Sequence, residues 1–283
     1  MGVKMGYKIV LKEKLNDTVT KLQVEAKNVS THAKAGQFII LKVDEVGERI
    51  PLTINDCDKE KGLVTIIYQI VGLTTAKLDR LNVGDEIMDF VGPLGKPTDL
   101  SNTKKALVIG GGVGSAIAYP ICKSLYTKGV YVDAILGFRS KDLIIQEKEF
   151  KENSNNLYIY TDDGSNGNKG FVTTNLEELI NKEHYDEVFV IGPLIMMKMV
   201  SLITKKCNVK TTVSMNPLMI DGTGMCGCCR LMVDGVMKFA CVDGPDFDAF
   251  KVNFDEMISR NKVYQEIERK KYSDNCNLFK MNK

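Results

Sequence analysis

Four residues in the last quarter of the chain have the types and the spacing of iron–sulfur ligands. Cys226 and Cys229 form a C-x2-C pair, Cys241 follows, and Asp221 stands five residues before Cys226. The spacing C-x4-C-x2-C with a distant fourth cysteine holds 2Fe-2S clusters. Asp221 occupies the position of the first cysteine. The sequence therefore predicts a 2Fe-2S cluster with one carboxylate among its ligands.

Three other interpretations of these cysteines remain open. Cys228 could be the fourth ligand, although adjacent residues direct their side chains apart, so Cys228 and Cys229 could share a cluster only in a distorted loop. A structural zinc ion also accepts three thiolates and one further ligand, but zinc sites usually contain two pairs of ligands that are each closely spaced in sequence. Buried cysteines without a metal are the third interpretation. The glycines of the loop favour a backbone wrapped closely around cluster sulfurs. These glycines are Gly222, Gly224 and Gly227.

A second candidate site is a glycine-rich turn after the apolar run 106–109. Glycine at a strand-to-helix turn lets the backbone approach a pyrophosphate, whose charge the helix N-terminus stabilises. Arg139 follows the next predicted strand and could bind a 2′-phosphate or stack on adenine, so the sequence does not choose between NAD(H) and NADP(H). The residues of the turn are Gly110, Gly111, Gly112, Val113 and Gly114.

Two strings in the first hundred residues could bind a second phosphate-containing group. One is Arg49-Ile-Pro51-Leu52-Thr53, in which an arginine suited to phosphate precedes a hydroxyl. The other is Gly72-Leu-Thr74-Thr75, at the start of a predicted helix. A surface arginine and an ordinary helix cap are the alternatives.

The periodicity of the chain changes near 92–97, and this change separates two kinds of structure. Short alternating runs before it predict an antiparallel barrel, and strand–turn–helix units after it predict a parallel sheet covered by helices. The charged C-terminal stretch is predicted to be a helix that either packs on its own domain or docks a partner. The predicted units are a β-barrel at 1–100, an α/β domain at 101–212, a small cluster-binding region at 213–250 and a helical extension at 251–283.

Composition excludes several classes of protein. The net charge of the 283-residue chain is +2, so a nucleic-acid partner is not expected. No apolar stretch reaches the length of a membrane span. Free thiols together with a predicted cluster indicate the cytoplasm.

The strings together resemble the ferredoxin–NADP reductase superfamily. The resemblance rests on R-x-P-[LI]-[ST] at 49–53, on G-x-x-[ST]-x-x-L at 72–78, and on the glycine turn. The run 191–197 is similar to the superfamily motif C-G-P-x-x-M, with Ile191 in place of the cysteine. The cluster loop resembles the branch of dihydroorotate dehydrogenase electron-transfer subunits, and 214–227 is most similar to the small subunits of NADH-dependent reduced ferredoxin:NADP oxidoreductases.

This resemblance implies an antiparallel barrel that binds FAD, a parallel-sheet domain that binds NAD(H) or NADP(H), and a 2Fe-2S region. It implies no catalytic side chain, because hydride moves to and from flavin N5. FAD would be bound by Arg49, Pro51, Leu52, Thr53, Gly72, Thr74 and Thr75. The nicotinamide dinucleotide would be bound by Gly110, Gly111, Gly112, Val113, Gly114, Arg139, Asp162, Gly192 and Pro193. The cluster ligands would be Asp221, Cys226, Cys229 and Cys241.

The function that the resemblance implies is a flavin and iron–sulfur oxidoreductase subunit that passes electrons between NAD(P)H, FAD and the cluster. It would form a heterodimer with a larger flavin and iron–sulfur subunit, and would reach ferredoxin through it, with or without electron bifurcation. One alternative is the electron-transfer subunit of dihydroorotate dehydrogenase, which argues for four cysteines rather than Asp221. A non-enzymatic metal-binding subunit that senses redox state is another.

Overall fold

The computed structural model describes residues 6–263, 266–267, 270 and 273. Two large sheets carry the fold, one antiparallel and one mostly parallel. A small hairpin lies between the last two strands of the parallel sheet in chain order.

The first sheet has seven antiparallel strands in the order β6-β1-β2-β5-β4-β3-β7. Its edge strands β6 and β7 are separated in sequence by Met88 alone, so the sheet curls into an open barrel whose two edges lie near each other. Its interior is filled by apolar side chains such as Leu22, Ile39 and Ile66. The strands are β1 Tyr7–Lys14, β2 Val19–Glu25, β3 Phe38–Lys42, β4 Arg49–Asp58, β5 Leu63–Gln69, β6 Glu86–Ile87 and β7 Asp89–Leu94, and the helices are α1 Lys27–His32 and α2 Leu73–Leu78.

The second sheet has the order β10-β9-β8-β11-β12-β15, with five parallel strands and an antiparallel edge. The chain leaves β8 toward β9 on one side and returns to β11 on the other, so the strand order reverses between β8 and β11. Open parallel sheets bind ligands at such a reversal. The strands are β8 Lys105–Gly111, β9 Tyr131–Phe138, β10 Asn156–Thr161, β11 Glu187–Ile191, β12 Lys210–Ser214 and β15 Asp246–Asp248; the helices are α3 Gly114–Thr127, α4 Glu147–Glu152, α5 Leu176–Glu183 and α6 Leu194–Lys206.

The cysteine-containing segment is joined to the second sheet at both ends. It leaves from β12, forms the hairpin of β13 Arg230–Val233 and β14 Val236–Phe239 with α7 Ala240–Asp243, and returns as β15 beside β12. The expected boundary at 212 falls inside β12. The fold class predicted from the sequence is confirmed, whereas the domain boundaries stay predictions.

The described part of the C-terminal stretch packs on its own domain. Helix α8, Phe254–Asn261, buries Phe254 and Met257 in the core beside the second sheet. Arg260 donates hydrogen bonds to the main-chain oxygens of Cys228 and Arg230. Docking by the rest of the stretch lies largely outside the described residues. In the part of the chain that the structure describes, no helix has the length and apolar character needed to cross a bilayer.

Candidate functional site

A cavity of about 620 Å³ lies where the barrel, the second sheet and the cysteine-containing segment meet. We call it the central cavity. The barrel contributes Pro51, Leu52, Thr53 and Thr75. Its volume is in the range of small-molecule sites. From the second sheet come the predicted residues Gly111, Gly112, Val113, Gly114, Arg139, Gly192 and Pro193. One cavity therefore unites most of the residues that the sequence assigned to two separate cofactors.

The glycine turn between β8 and α3, residues Gly110–Gly114, is called the nucleotide loop. A Cβ atom on Gly114 would lie 2.7 Å from both Gly192 Cα and Ile191 O, and one on Gly110 would lie 2.8 Å from Ser115 Cα. Gly114 lets α3 approach the end of β11 closely, and Gly110 lets it approach β8. Gly112 differs, because it has φ +56° and no described atom lies within 4 Å of an added Cβ. The space beside Gly112 is therefore open to a ligand, while its main-chain nitrogen donates to Gly137 O and its oxygen accepts from Ser115 N.

The barrel strand β4 supplies one wall of the central cavity through Pro51, Leu52 and Thr53. Arg49, at the start of the same strand, lies outside the lining. Its guanidinium group donates to Asp89 across 3.0 Å. The structure thus places the predicted phosphate-binding arginine in an ion pair with β7.

Helix α2 uses the Thr75 hydroxyl to close its own first turn. Thr75 Oγ1 accepts from the main-chain nitrogens of Val71 and Gly72 and donates to the oxygen of Gly72. Thr75 lines the central cavity, whereas Gly72 and Thr74 do not. The predicted phosphate-binding residues here act first as a helix cap.

Arg139 and Asp162 lie at the carboxyl ends of the neighbouring strands β9 and β10. Asp162 N donates to Phe138 O across 3.0 Å, which fixes the two strand ends side by side. Arg139 lines the central cavity, and Asp162 is exposed outside it. Of these two predicted residues, only Arg139 therefore reaches the cavity.

Several lining residues had no signal in the sequence. Phe38 and Tyr68 come from barrel strands, and their alternation showed only that they belong to a sheet. Met219 and Pro245 come from the cysteine-containing segment, for which the cysteine spacing predicted only cluster binding. The additional lining residues of this kind are Phe38, Tyr68, Ser214, Met215, Asn216, Met219 and Pro245.

The four predicted cluster ligands form two pairs. Cys229 Sγ and Cys241 Sγ are 3.2 Å apart and buried, and Cys226 Sγ is 3.3 Å from Asp221 Oδ1. Within residues 6–263, 266–267, 270 and 273, no group of three or more such side chains converges on one point. A 2Fe-2S cluster contains two irons, each needing two protein ligands, so two pairs fit it better than they fit one tetrahedral zinc ion.

Cys228 takes no part in either pair. Its Sγ donates to Cys226 O across 3.9 Å, and burial followed by the neighbouring Cys226 thiol raises the pKa of the Cys228 thiol. The ligand set Asp221, Cys226, Cys229 and Cys241 stays a prediction.

Asp221 is held by the loop that begins with it, Asp221–Cys229, which we call the cluster loop. Its carboxylate accepts from the main-chain nitrogens of Thr223, Met225 and Cys226 at 2.9 to 3.1 Å. Burial acts to raise the pKa of Asp221, but hydrogen bonds from Thr223 and Cys226 outweigh it and lower the pKa to about 2. The side chain is therefore anionic and oriented without a metal.

The cluster loop packs directly on the barrel beside the central cavity. A Cβ atom on Gly222 would lie 2.6 Å from Leu94 Cδ1 and 3.0 Å from Ile40 Cγ1. Phe38, two residues before Ile40 on β3, lines the cavity. Two residues of a strand span about 7 Å, so the cluster loop and the cavity are separated by roughly one side-chain layer.

Asp246 joins the cysteine-containing segment to the rest of the molecule. It accepts a 2.5 Å hydrogen bond from Thr98 Oγ1, and Ser214 on β12 also binds it. The residue as a whole is partly exposed, but its carboxyl group is enclosed, and Oδ1 has no hydrogen-bond partner among the described residues. Burial raises the pKa of Asp246 to about 6.

Comparison with protein families identifies the cysteine-containing segment. Residues 216–253 match the iron-sulfur cluster binding domain of dihydroorotate dehydrogenase B. A Thermotoga maritima homologue of the dihydroorotate dehydrogenase B (NAD(+)) electron transfer subunit is 44% identical over 96% of both chains. The Fusobacterium nucleatum electron transfer subunit is 33% identical over 83% of this chain and 93% of its own length.

Solved structures agree with both the fold and the family. A chain of the NADH-dependent reduced ferredoxin-NADP oxidoreductase, studied for flavin-based electron bifurcation, superposes with a TM-score of 0.89 at 40% identity, covering 98% of this chain and 100% of that chain. The ferredoxin reductase of a carbazole 1,9a-dioxygenase, at 16% identity and a TM-score of 0.59 over 72% of this chain and 66% of its own, shares the fold. The resemblances seen in the sequence are thereby confirmed. The chain belongs to the family of dihydroorotate dehydrogenase B electron transfer subunits and their homologues.

Proposed function

We propose that this chain is a flavin- and iron–sulfur-containing oxidoreductase subunit of the ferredoxin–NADP reductase type. It passes electrons between NAD(P)H, FAD and a 2Fe-2S cluster, within a ferredoxin:NADP oxidoreductase complex. The observation that carries this proposal is the central cavity, which the barrel strand β4, the nucleotide loop and the segment beside the cluster loop all line. A flavin that passes electrons between a nicotinamide dinucleotide and a 2Fe-2S cluster has to lie between the sites of both.

The residues present fit a flavin on one wall and a nicotinamide dinucleotide on the other. Pro51, Leu52 and Thr53 offer an extended wall against which a flat ring can lie. The open space beside Gly112 lies at the N-terminus of α3, where a helix dipole favours a pyrophosphate. When bound, FAD accepts a hydride from the nicotinamide and exchanges single electrons with the cluster. Binding roles for Arg49, Gly72, Thr74, Gly110 and Asp162 stay predictions, because these residues lie outside the lining.

The residues present also fit a 2Fe-2S cluster. Asp221 and Cys226 would hold one iron, and Cys229 and Cys241 the other. Burial, followed by the neighbouring Cys229 thiol, raises the pKa of Cys241 to about 12, so metal must displace a proton there. Asp221 is already ionised. An oxygen ligand at this position shifts the potential of the cluster, because ligand type is one of the levers on iron–sulfur potentials.

A larger flavin and iron–sulfur subunit is the proposed partner, with ferredoxin reached through it. Support comes from the relative whose structure is that of a reduced ferredoxin-NADP oxidoreductase, with which this chain aligns over nearly its whole length. A cytoplasmic location is part of the proposal, since ligand thiols must stay reduced.

The second candidate function is electron transfer to a dihydroorotate dehydrogenase. It is favoured by the family model that matches 216–253 and by curated relatives with that name. Asp221, which stands where the ligand spacing expects a cysteine, favours the first candidate.

Cofactor content and partner capture test the proposal together. The full chain, purified without oxygen, is expected to contain FAD, iron and acid-labile sulfide in a ratio of one flavin to one 2Fe-2S cluster. Zinc without flavin would contradict both redox functions. Capture of the natural complex from its source, followed by assay of the partner with ferredoxin and with dihydroorotate, separates the two candidates.

A further inference from the structure

A buried hydrogen bond links the two walls of the central cavity behind their lining residues. Asn55 Nδ2, on β4, donates to Ala116 O, in the first turn of α3, across 2.7 Å. Asn55 is two residues beyond Thr53, and Ala116 is two residues beyond Gly114. Asn55 is thus two residues from the lining, and Ala116 lies between the lining residues Gly114 and Ile117.

The carbonyl group of Ala116 needs this donor because of a proline. In an α-helix the oxygen of residue 116 accepts from the nitrogen of residue 120. Residue 120 is Pro120, which lies inside α3 and has no N–H group. The amide of Asn55, on barrel strand β4, donates to Ala116 O in place of the missing N–H group of residue 120. The same hydrogen bond therefore joins α3 to β4.

Gln146 fixes the orientation of the Asn55 amide. The two amides exchange hydrogen bonds of 3.1 and 3.2 Å. Gln146 is held in the left-handed region, φ +55°, at the start of α4. Asn55 and Gln146 are 3% and 9% exposed. A buried network in which each of these groups is satisfied is rigid, because breaking one bond leaves a polar group unpaired in the interior.

We propose that Asn55 is a positioning residue for hydride transfer, setting the distance between the barrel wall and the nucleotide wall of the central cavity. The inference rests on the proposed function, which puts flavin on the first wall and nicotinamide on the second. Hydride transfer depends steeply on this separation, and a displacement of about 1 Å can slow a reaction about 100-fold.

The test separates this positioning role from a structural one with three variants. Asn55→Leu keeps the shape of the side chain and removes its hydrogen bonds. Asn55→Leu combined with Pro120→Ala returns an N–H donor to Ala116 O inside the helix, without restoring the link between domains. Lys123→Met is the matched control, because Lys123 and Asp56 form a 2.7 Å ion pair between the same helix and the same strand but at the surface.

Three quantities are measured on the flavin-loaded full chain without oxygen. They are the limiting rate of flavin reduction at saturating NADH or NADPH, the charge-transfer absorbance with tetrahydro-NADH, which binds but cannot transfer hydride, and the free energy of unfolding. Asn55→Leu is expected to slow reduction about 10- to 100-fold and to weaken the charge-transfer band while flavin content is unchanged. The double variant should regain the part of the stability that belongs to the Ala116 carbonyl but remain slow, because the Gln146 amide stays without its Asn55 partner, and Lys123→Met should behave like the wild type.

Recovery of the wild-type rate in the double variant would overturn the inference, since Asn55 would then serve only to satisfy a helix carbonyl. An equal slowing by Lys123→Met would overturn it as well. A wild-type flavin that neither NADH nor NADPH reduces would instead contradict the proposed function, so the two failures are distinguishable.

Discussion

The nucleotide loop and the cluster loop are both rich in glycine, but their surroundings differ. In the nucleotide loop, Cβ atoms on Gly110 and Gly114 would collide with main chain. In the cluster loop, Gly222, Gly224 and Gly227 all have positive φ values, from +68° to +86°, and their nearest neighbours are side chains. The first loop needs glycine so that rigid elements can pack closely, and the second needs it so that the backbone can curve around a cluster.

This difference predicts that an alanine substitution at a packed glycine of the nucleotide loop destabilises the whole fold, whereas one in the cluster loop affects mainly the cluster site. The largest effect is expected for Gly114→Ala, whose Cβ would lie 2.7 Å from main-chain atoms of β11. Overpacking against backbone should lower the free energy of unfolding by about 3 kcal/mol. Urea denaturation of the variant provides the measurement.

Gly112→Ala is the control for that prediction. An alanine there meets no described atom within 4 Å and only has to adopt φ +56°, so it should cost about 1 kcal/mol. Equal losses in the two variants would show that packing is not the reason for glycine in the nucleotide loop.

The stability of the junction between the cysteine-containing segment and the rest of the molecule is expected to depend on pH through Asp246. Its pKa is raised from 3.8 to about 6 by burial, so the folded protein binds more protons than the unfolded chain between these values. The contribution of Asp246 to stability therefore falls as pH rises through this window, by about 2 to 3 kcal/mol.

Asp246→Asn mimics the protonated acid and is the matched variant. It should be more stable than the wild type at pH 7 and nearly equal to it at pH 4, as measured by urea denaturation at a series of pH values. Parallel pH profiles for the two proteins would contradict the assignment of the buried carboxyl group.

A smaller and local effect is expected for Gly222→Ala. The added Cβ would press on Leu94 Cδ1, the end of a side chain, and the residue would have to keep φ +77°. The expected loss is about 1 to 2 kcal/mol, with reduced iron content and normal flavin content. Loss of flavin together with iron would show that the loops are not independent.

The smallest effect on stability is expected for Asp221→Cys, because Asp221 lies at an exposed turn whose hydrogen bonds are local. The free energy of unfolding should fall by about 1 kcal/mol, since the carboxylate accepts main-chain hydrogen bonds that a thiol makes poorly. The midpoint potential of the cluster should nevertheless shift, since a thiolate replaces an oxygen ligand. An unchanged potential in a redox titration would exclude Asp221 as a ligand.

Local patterns in the sequence predicted most of this molecule. The nucleotide loop and the cysteine spacing lie within short segments, so their geometry follows from neighbouring residues. Contacts between distant residues were not predictable in this way. The Arg49–Asp89 ion pair and the bond from Asn55 to Ala116 each join residues at least 40 positions apart. The return of β15 to β12 was not predicted either, because a three-residue strand has too short a pattern to recognise.

The proposed function requires that electrons pass from a nicotinamide dinucleotide through flavin in the central cavity to a cluster held by Asp221 and three cysteines. Anaerobic titration of the purified chain with NADH and then NADPH, followed by visible absorbance and by low-temperature electron paramagnetic resonance, tests it most directly. One of the two nucleotides is expected to bleach the flavin and to produce the signal of a reduced 2Fe-2S cluster. A loaded protein whose flavin bleaches while its cluster stays oxidised, or that responds to neither nucleotide, would contradict it.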